Sequence, residues 1–299
     1  MKKIISQNQH DIAFVVGNGI NRYVNFDGSL SWEELLNKLW YKFAQKKFSS
    51  TPAGLAITEF YDLLDLFLSK STAQSYPIKR ELCTLLHGWE GLPHHKWIVD
   101  SISKLNAPLL TLNFDTSLLE DNNVQQYYFD SGRFTDFYPW NTYYAIKQMR
   151  SPIDGFGIWF INGFIKYHRS IRLGLSDYMG CVQRARQMIH NKDDRRLFSG
   201  KNFENWQGKN TYLHILFNKS LMIFGLALEE NEVFLRWLLL ERARYFREFP
   251  KRKKKGWYVT TIPEKEDRRY QGKKFFLESV GFNIIEVSSY DEIYKNSWV

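Results

Sequence analysis

The chain has 299 residues, enough for one large α/β domain with a substantial core. Hydrophobic residues make up 44% and aromatic residues 17%, which excludes a disordered chain, and no apolar run is long enough to span a membrane. Two cysteines exclude a four-cysteine zinc module within this chain, and the net charge of +9 comes without a recognised nucleic-acid motif, so neither zinc nor nucleic acid is expected.

The first residues, MKKIISQNQHD, turn polar after two apolar positions, which is not a secretory signal, so a cytoplasmic location is expected. IAFVV (12–16) reads as a buried strand that stops on Gly17-Asn18-Gly19-Ile20-Asn21. Glycines after a strand let the backbone approach a ligand, and a following helix offers N–H groups to a phosphate. A tight turn explains the same residues, because a lone Gly-x-Gly is a weak signal. WEELLNKLWYKF then has helical spacing. From about 49 to 105 the apolar spacing stays helical, as in ITEFYDLLDLFL, and no strand is expected, so this interval reads as a helical insertion. His94 and His95 fall in it. Adjacent residues on a helix point about 100° apart, so the pair reads as surface rather than as metal ligands.

The second strand, PLLTL (108–112), runs into TLNFDTSLLED (111–121), where Thr111, Asn113 and Asp115 alternate before a helix start. In the plain reading Asp115 or Thr116 is a helix cap and Asn113 fills a turn. The carboxyl end of a parallel strand is also where α/β sheets place ligands, and an amide there holds a sugar hydroxyl or positions a water. GIWFI (157–161) ends on Asn162-Gly163, with His168 five residues on. A second helix-rich stretch covers about 178–217. SLMIF (220–224) ends on Gly225-Leu226, and Glu229, Glu230 and Glu232 then open a helix whose dipole favours them. GWYVT (256–260) and NIIEV (283–287) complete the strands, and the basic run KRKKKG (251–256) reads as a solvated loop. Strands alternating with helices predict an α/β, Rossmann-like, mostly parallel sheet with helices on both faces and a helical insertion lobe, in one domain over 1–299.

Four of these segments follow a known order. Gly17-Asn18-Gly19-Ile20-Asn21, Thr111-Leu112-Asn113-Phe114-Asp115, the Asn-Gly before SIRLGLSDY, and IFGLALEENE together resemble the bacterial sirtuin-like proteins of phage defence, which hydrolyse NAD. The abortive-infection AbiH-type proteins share the Gly-Asn-Gly start. The resemblance runs from about residue 11 to 290. It implies an NAD hydrolase that releases nicotinamide, acting as an abortive-infection effector, with NAD as substrate and no zinc. In that reading Gly17, Asn18, Gly19, Ile20 and Asn21 wrap the pyrophosphate and nicotinamide ribose. Thr111, Asn162, Gly163, Gly225 and Leu226 line the same nucleotide site. A side chain at Gly19 is then expected to collide with phosphate.

The resemblance makes Asn113 the residue that holds the ribose and the attacking water, with Asp115 beside it in the family's Asn-aromatic-Asp pattern. A His is the expected general base. The family's His-Gly is replaced here by Asn162-Gly163, and Asn cannot act as a base. Either His168 reaches the pocket, or catalysis relies on Asn113 and Asp115, or the chain is weakly active. In the last case it is a sensor subunit of a defence complex that holds NAD or an ADP-ribose-like nucleotide without cleaving it. A homo-oligomer or a partner defence protein is the expected macromolecular company, and a membrane is not.

Overall fold

A computed structural model of the chain describes residues 1–24, 30–68, 75–130, 135–191, 194–199, 205–263 and 267–299. Helix α1 (Lys2–Asn8) leads to strand β1 (Ile12–Val16), and the single turn α2 (Gly19–Arg22) follows it directly. Four helices come next: α3 (Trp32–Ala44), α4 (Ile57–Leu68), α5 (Pro77–Leu86) and α6 (Pro93–Lys104). The chain continues through β2 (Pro108–Thr111), β3 (Gln125–Tyr128), β4 (Thr142–Ala145) and β5 (Gly157–Phe160), then a 3₁₀ turn (His168–Ser170) and helix α7 (Leu175–His190). Helix α8 (Tyr212–Asn218), β6 (Ser220–Phe224), α9 (Val233–Glu248), β7 (Gly256–Thr261), α10 (Arg268–Ser279), β8 (Asn283–Val287) and α11 (Tyr290–Tyr294) complete it.

Among the described residues eight strands form one sheet in the order β3-β4-β5-β2-β1-β6-β7-β8. The run from β5 to β8 is parallel, and β3 and β4 add antiparallel pairing at one edge. The fold is α/β and Rossmann-like. The chain builds outward from β1 through β2 to β5, then returns to place β6 on the other side of β1. The order therefore reverses between β1 and β6, the position at which such sheets bind ligands. Register decides what meets there. Val16 lies opposite Thr111 and Phe224, and Thr111 lies opposite Phe160. Four neighbouring strands thus end in one row, and the segments after 16, 111, 160 and 224 leave from the same edge.

Each face of the central strands has its own core, which is why they read as unbroken apolar runs. Ala13 and Val15 pack with residues of α7, α8, α9 and α10. Ile12, Phe14 and Val16 pack with Ile5, with Ile98, Val99 and Ile102 of α6, and with Ile293 and Tyr294 of α11. A third core is separate. It joins Leu35, Leu36 and Trp40 of α3, Phe60 and Leu64 of α4, and Ile78 and Leu82 of α5 to Ile171 and Leu173. The helical lobe is therefore α3 to α5, while α6 lies on the sheet. Ser31 starts the lobe with a reciprocal cap: its hydroxyl accepts from Glu34 N at 3.2 Å and its own amide donates to Glu34 Oε2 at 2.6 Å.

The sequence reading places no strand between 112 and 157, yet β3 and β4 lie there. Both are four residues long, and β3 is an edge strand whose side chains are partly exposed. Its stability comes from cross-strand rings, with Tyr127 stacked on Tyr143 at 5.7 Å, rather than from an alternating apolar pattern. The basic run closes the α9–β7 link, with Lys254 paired to Asp11 at 2.8 Å. Among the described residues no helix is long and apolar enough to cross a membrane.

Candidate functional site

The glycines after β1 are demanded by the segment after β6. Gly17 N donates to Phe224 O at 3.3 Å and Gly19 N to Gly225 O at 2.7 Å. A Cβ on Gly17 would stand 2.7 Å from Gly225 O and 2.8 Å from Leu226 Cδ1. A Cβ on Gly19 would stand 2.5 Å from the Tyr294 hydroxyl and 2.8 Å from Gly225 O. A larger residue at 19 therefore collides with the protein itself and disturbs the fold before it reports on any ligand. Ile20 N turns back to Gly17 O at 3.3 Å, which makes the loop a closed turn packed on β6.

Behind that turn lies a buried polar cluster. Asn21 Nδ2 donates to Asp115 Oδ2 at 2.9 Å and to Asn18 Oδ1 at 3.1 Å, and Asn18 Nδ2 donates to Leu30 O at 3.0 Å. Asp115 also accepts from Ser117 N at 3.1 Å; no helix lies between β2 and β3, so the expected helix cap is instead a side-chain turn made by the same carboxylate that holds the loop. Burial raises the Asp115 pKa, while the hydrogen bonds from Ser117 and Asn21 act against that rise. Thr111 Oγ1 accepts from Asn113 N at 3.1 Å, which fixes the backbone at the end of β2. Asn113 is only 6% exposed, and its Nδ2 has no hydrogen-bond partner. Leaving such a donor unpaired costs about 1–3 kcal/mol.

Asn162 is buried, and its carbonyl accepts from Arg172 N at 2.8 Å. Gly163 has φ +104°, and a Cβ there would lie 2.3 Å from Ser170 O, so this turn admits glycine alone. His168 contacts the lobe. It is half-buried in its 3₁₀ turn, with its ring 6.2 Å from Tyr76 at the lobe. Burial, and then the charge of Arg80, lower its pKa. Its described contacts do not include residues 17–21, Asn113 or Asp115.

The histidines of α6 reverse the sequence reading. His94 is 2% and His95 1% exposed, because α6 lies on the sheet and turns its first residues under the β1 loop. His94 Nε2 is 2.7 Å from Ile20 O, and His95 Nε2 is 2.8 Å from Asn21 Oδ1. His95 Nδ1 accepts from Leu92 N at 2.9 Å. Burial lowers both pKa values, that of His95 to about 3. A signal for this was present in LPHHKW. Pro93 takes the first helical position, so His95 takes the third, from which a side chain returns to the amide before the helix.

One carboxylate on the segment after β6 differs from its neighbours. Glu229 and Glu230 pair with Arg269 at 3.6 and 3.0 Å and need only a surface role. Glu232, just before α9, is pushed up to about 7 by burial and then by Glu229. A carboxyl group near neutrality can give or take a proton, and such groups concentrate at functional sites. Among the described residues no group of three or more His, Cys, Asp and Glu is placed to hold a metal ion. Cys83 and Cys181 are both free. A cavity of about 540 Å³ between α7 and α9, lined in part by His190, Trp237 and Glu241, shares no residue with this cluster.

No protein-family model matches the chain, and no curated protein matches it. The site rests on its own geometry: four strand ends in a row, one closed glycine turn, and buried amide, carboxylate and imidazole groups in contact.

Proposed function

We propose that the strand-end cluster binds a nucleotide and that the chain is a sirtuin-like NAD hydrolase releasing nicotinamide, of the abortive-infection type. The observation that carries this reading is Asn113. It is a buried amide with an unpartnered Nδ2, at the carboxyl end of a central parallel strand, two residues from a buried carboxylate. A ribose hydroxyl or a bound water supplies the acceptor that this N–H lacks. In the reaction, water oxygen bonds to the anomeric carbon as the bond to nicotinamide breaks. Nicotinamide leaves with the bonding electron pair, and the water gives up a proton. The Asp115 carboxylate favours the positive charge that develops on the ribose. Glu232 and His168 are the two candidates for receiving the proton, and the first lies six residues after Leu226 on the segment that leaves β6.

A second reading is that the chain holds NAD or ADP-ribose as a sensor subunit and does not cleave it. It is favoured by Asn162 in place of the family's His and by the contacts of His168 with the lobe. Nicotinamide release by the purified protein separates the two. We expect release by the wild type and a loss of about 10²–10³-fold in Asn113→Ala, the range for removing one positioned donor. The melting temperature of that variant should not fall, because the donor it removes is unpaired. ADP-ribose binding without release supports the sensor. Neither binding nor release rejects both.

A further inference from the structure

We infer that His95 is a positioning residue that fixes the amide orientation of Asn21 and, through it, the carboxylate of Asp115. Asp115's part in catalysis rests on the nucleotide-site reading above, whereas the orientation of Asn21 does not. The direction of every link follows from one fixed donor. The Leu92 backbone amide can only donate, and it lies 2.9 Å from His95 Nδ1. Nδ1 is therefore the bare nitrogen and the ring proton sits on Nε2. Nε2–H then donates to Asn21 Oδ1 at 2.8 Å. With its oxygen committed to His95, Asn21 must turn Nδ2 toward Asp115 Oδ2 and Asn18 Oδ1.

The reversed amide is not tolerated. It would set Asn21 Oδ1 against two acceptor oxygens and its Nδ2 against the imidazole N–H, so three hydrogen bonds become three repulsive contacts. The chain from Leu92 to Asp115 is thus polar in one direction, anchored on a backbone group that cannot flip. His94 adds a second hold on the same turn through Ile20 O. Both nitrogens of His95 are occupied, so its part is to orient and not to exchange protons with a substrate. It is buried, with the His94 ring centroid 4.3 Å away.

The test uses His95→Gln and His95→Leu in the full chain. Glutamine at this helix position can accept the Leu92 amide through Oε1 and donate to Asn21 through Nε2, whereas leucine can do neither. Nitrogen-15 NMR of the wild type should show His95 with a protonated Nε2 and a bare Nδ1, and one slowly exchanging pair of Asn21 side-chain amide protons. His95→Leu should abolish that Asn21 signature and His95→Gln should restore it. A protonated Nδ1, or an unchanged Asn21 signature in His95→Leu, overturns the inference whether or not the protein cleaves NAD.

Where the wild type releases nicotinamide, His95→Leu should lower kcat by about 10- to 100-fold, the size of effect that partners orienting metal-ligating side chains have. His95→Gln should recover most of it. In an Asn21→Leu background, His95→Leu should add no further loss. Independent, additive losses overturn the inference. A wild type that neither binds ADP-ribose nor cleaves NAD removes the functional reading and leaves the spectra to decide on His95.

Discussion

Glu232 carries a titration that can be read directly. Its pKa in the folded protein is about 7, raised first by burial and then by Glu229, against about 4.5 for an ordinary Glu. Between those values the folded state keeps a proton that the unfolded state has released, so stability falls as pH rises through the window and stays low above it. Glu232→Gln removes the ionisation. Thermal melts should show the variant gaining on the wild type at pH 8.5 and nearly matching it at pH 4.5. A gain that does not vary with pH would reject a half-buried, proton-holding Glu232. In the sequence this residue reads as one more acid before a helix, since nothing local distinguishes it from Glu229 and Glu230. The alternation of Thr111, Asn113 and Asp115 did mark out the β2 end. The roles of His94 and His95 were hidden for another reason. The angle between neighbours on a helix says where they point, but only the packing of α6 on the sheet says what they meet.

At the scale of elements, one carboxylate joins the lobe to the start of α7. Asp177 accepts from Lys79 of α5 at 2.8 Å, from Arg172 at 3.3 Å and from Leu173 N at 3.1 Å. Lys79 and Arg172 are both buried, and burial lowers the Lys79 pKa although Asp177 acts the other way. Arg172 is also held by Phe137 O and lies 4.2 Å over the Phe137 ring. Asp177→Asn leaves two buried cations without their counter-ion and weakens the first turn of α7. It should cost about 3–5 kcal/mol in denaturant unfolding, the range for breaking a buried pair from one side. Lys79→Met should cost less, because Arg172 still balances Asp177. The opposite ranking would mean that Lys79, and not Asp177, organises the junction. The five-residue strands and the helical spacing of α3 and α4 were legible because one apolar period runs through each. This junction was not, because its three charges come from segments nearly a hundred residues apart in the chain.

Across the whole molecule, three cores make two bodies. The sheet has a core on each face, whereas the lobe of α3 to α5 has its own. What ties the lobe to the sheet passes through segments that also carry site residues. Ile171 and Leu173, which close the lobe core, follow Asn162 and Gly163. Ser176 donates to Asp62 of α4 from both its amide and its hydroxyl at 3.2 Å. A body with a separate core opens as its own cooperative unit, at lower free energy than the central strands. Amides of α4 and α5 should therefore exchange with deuterium faster than those of β1, β2 and β6. A nucleotide seated between the strand ends and the 162–177 segment binds the closed arrangement, so it should slow that opening. At a concentration of about 100 times Kd the stabilisation is about 2.7 kcal/mol, or roughly 100-fold in exchange rate. ADP-ribose is the ligand to use, because it is not consumed. Slowing confined to α4 and α5 together with residues near Asn162 and Asp115 would place the nucleotide at the junction. Binding of ADP-ribose with unchanged exchange in the lobe would put it outside this junction and reject the coupling.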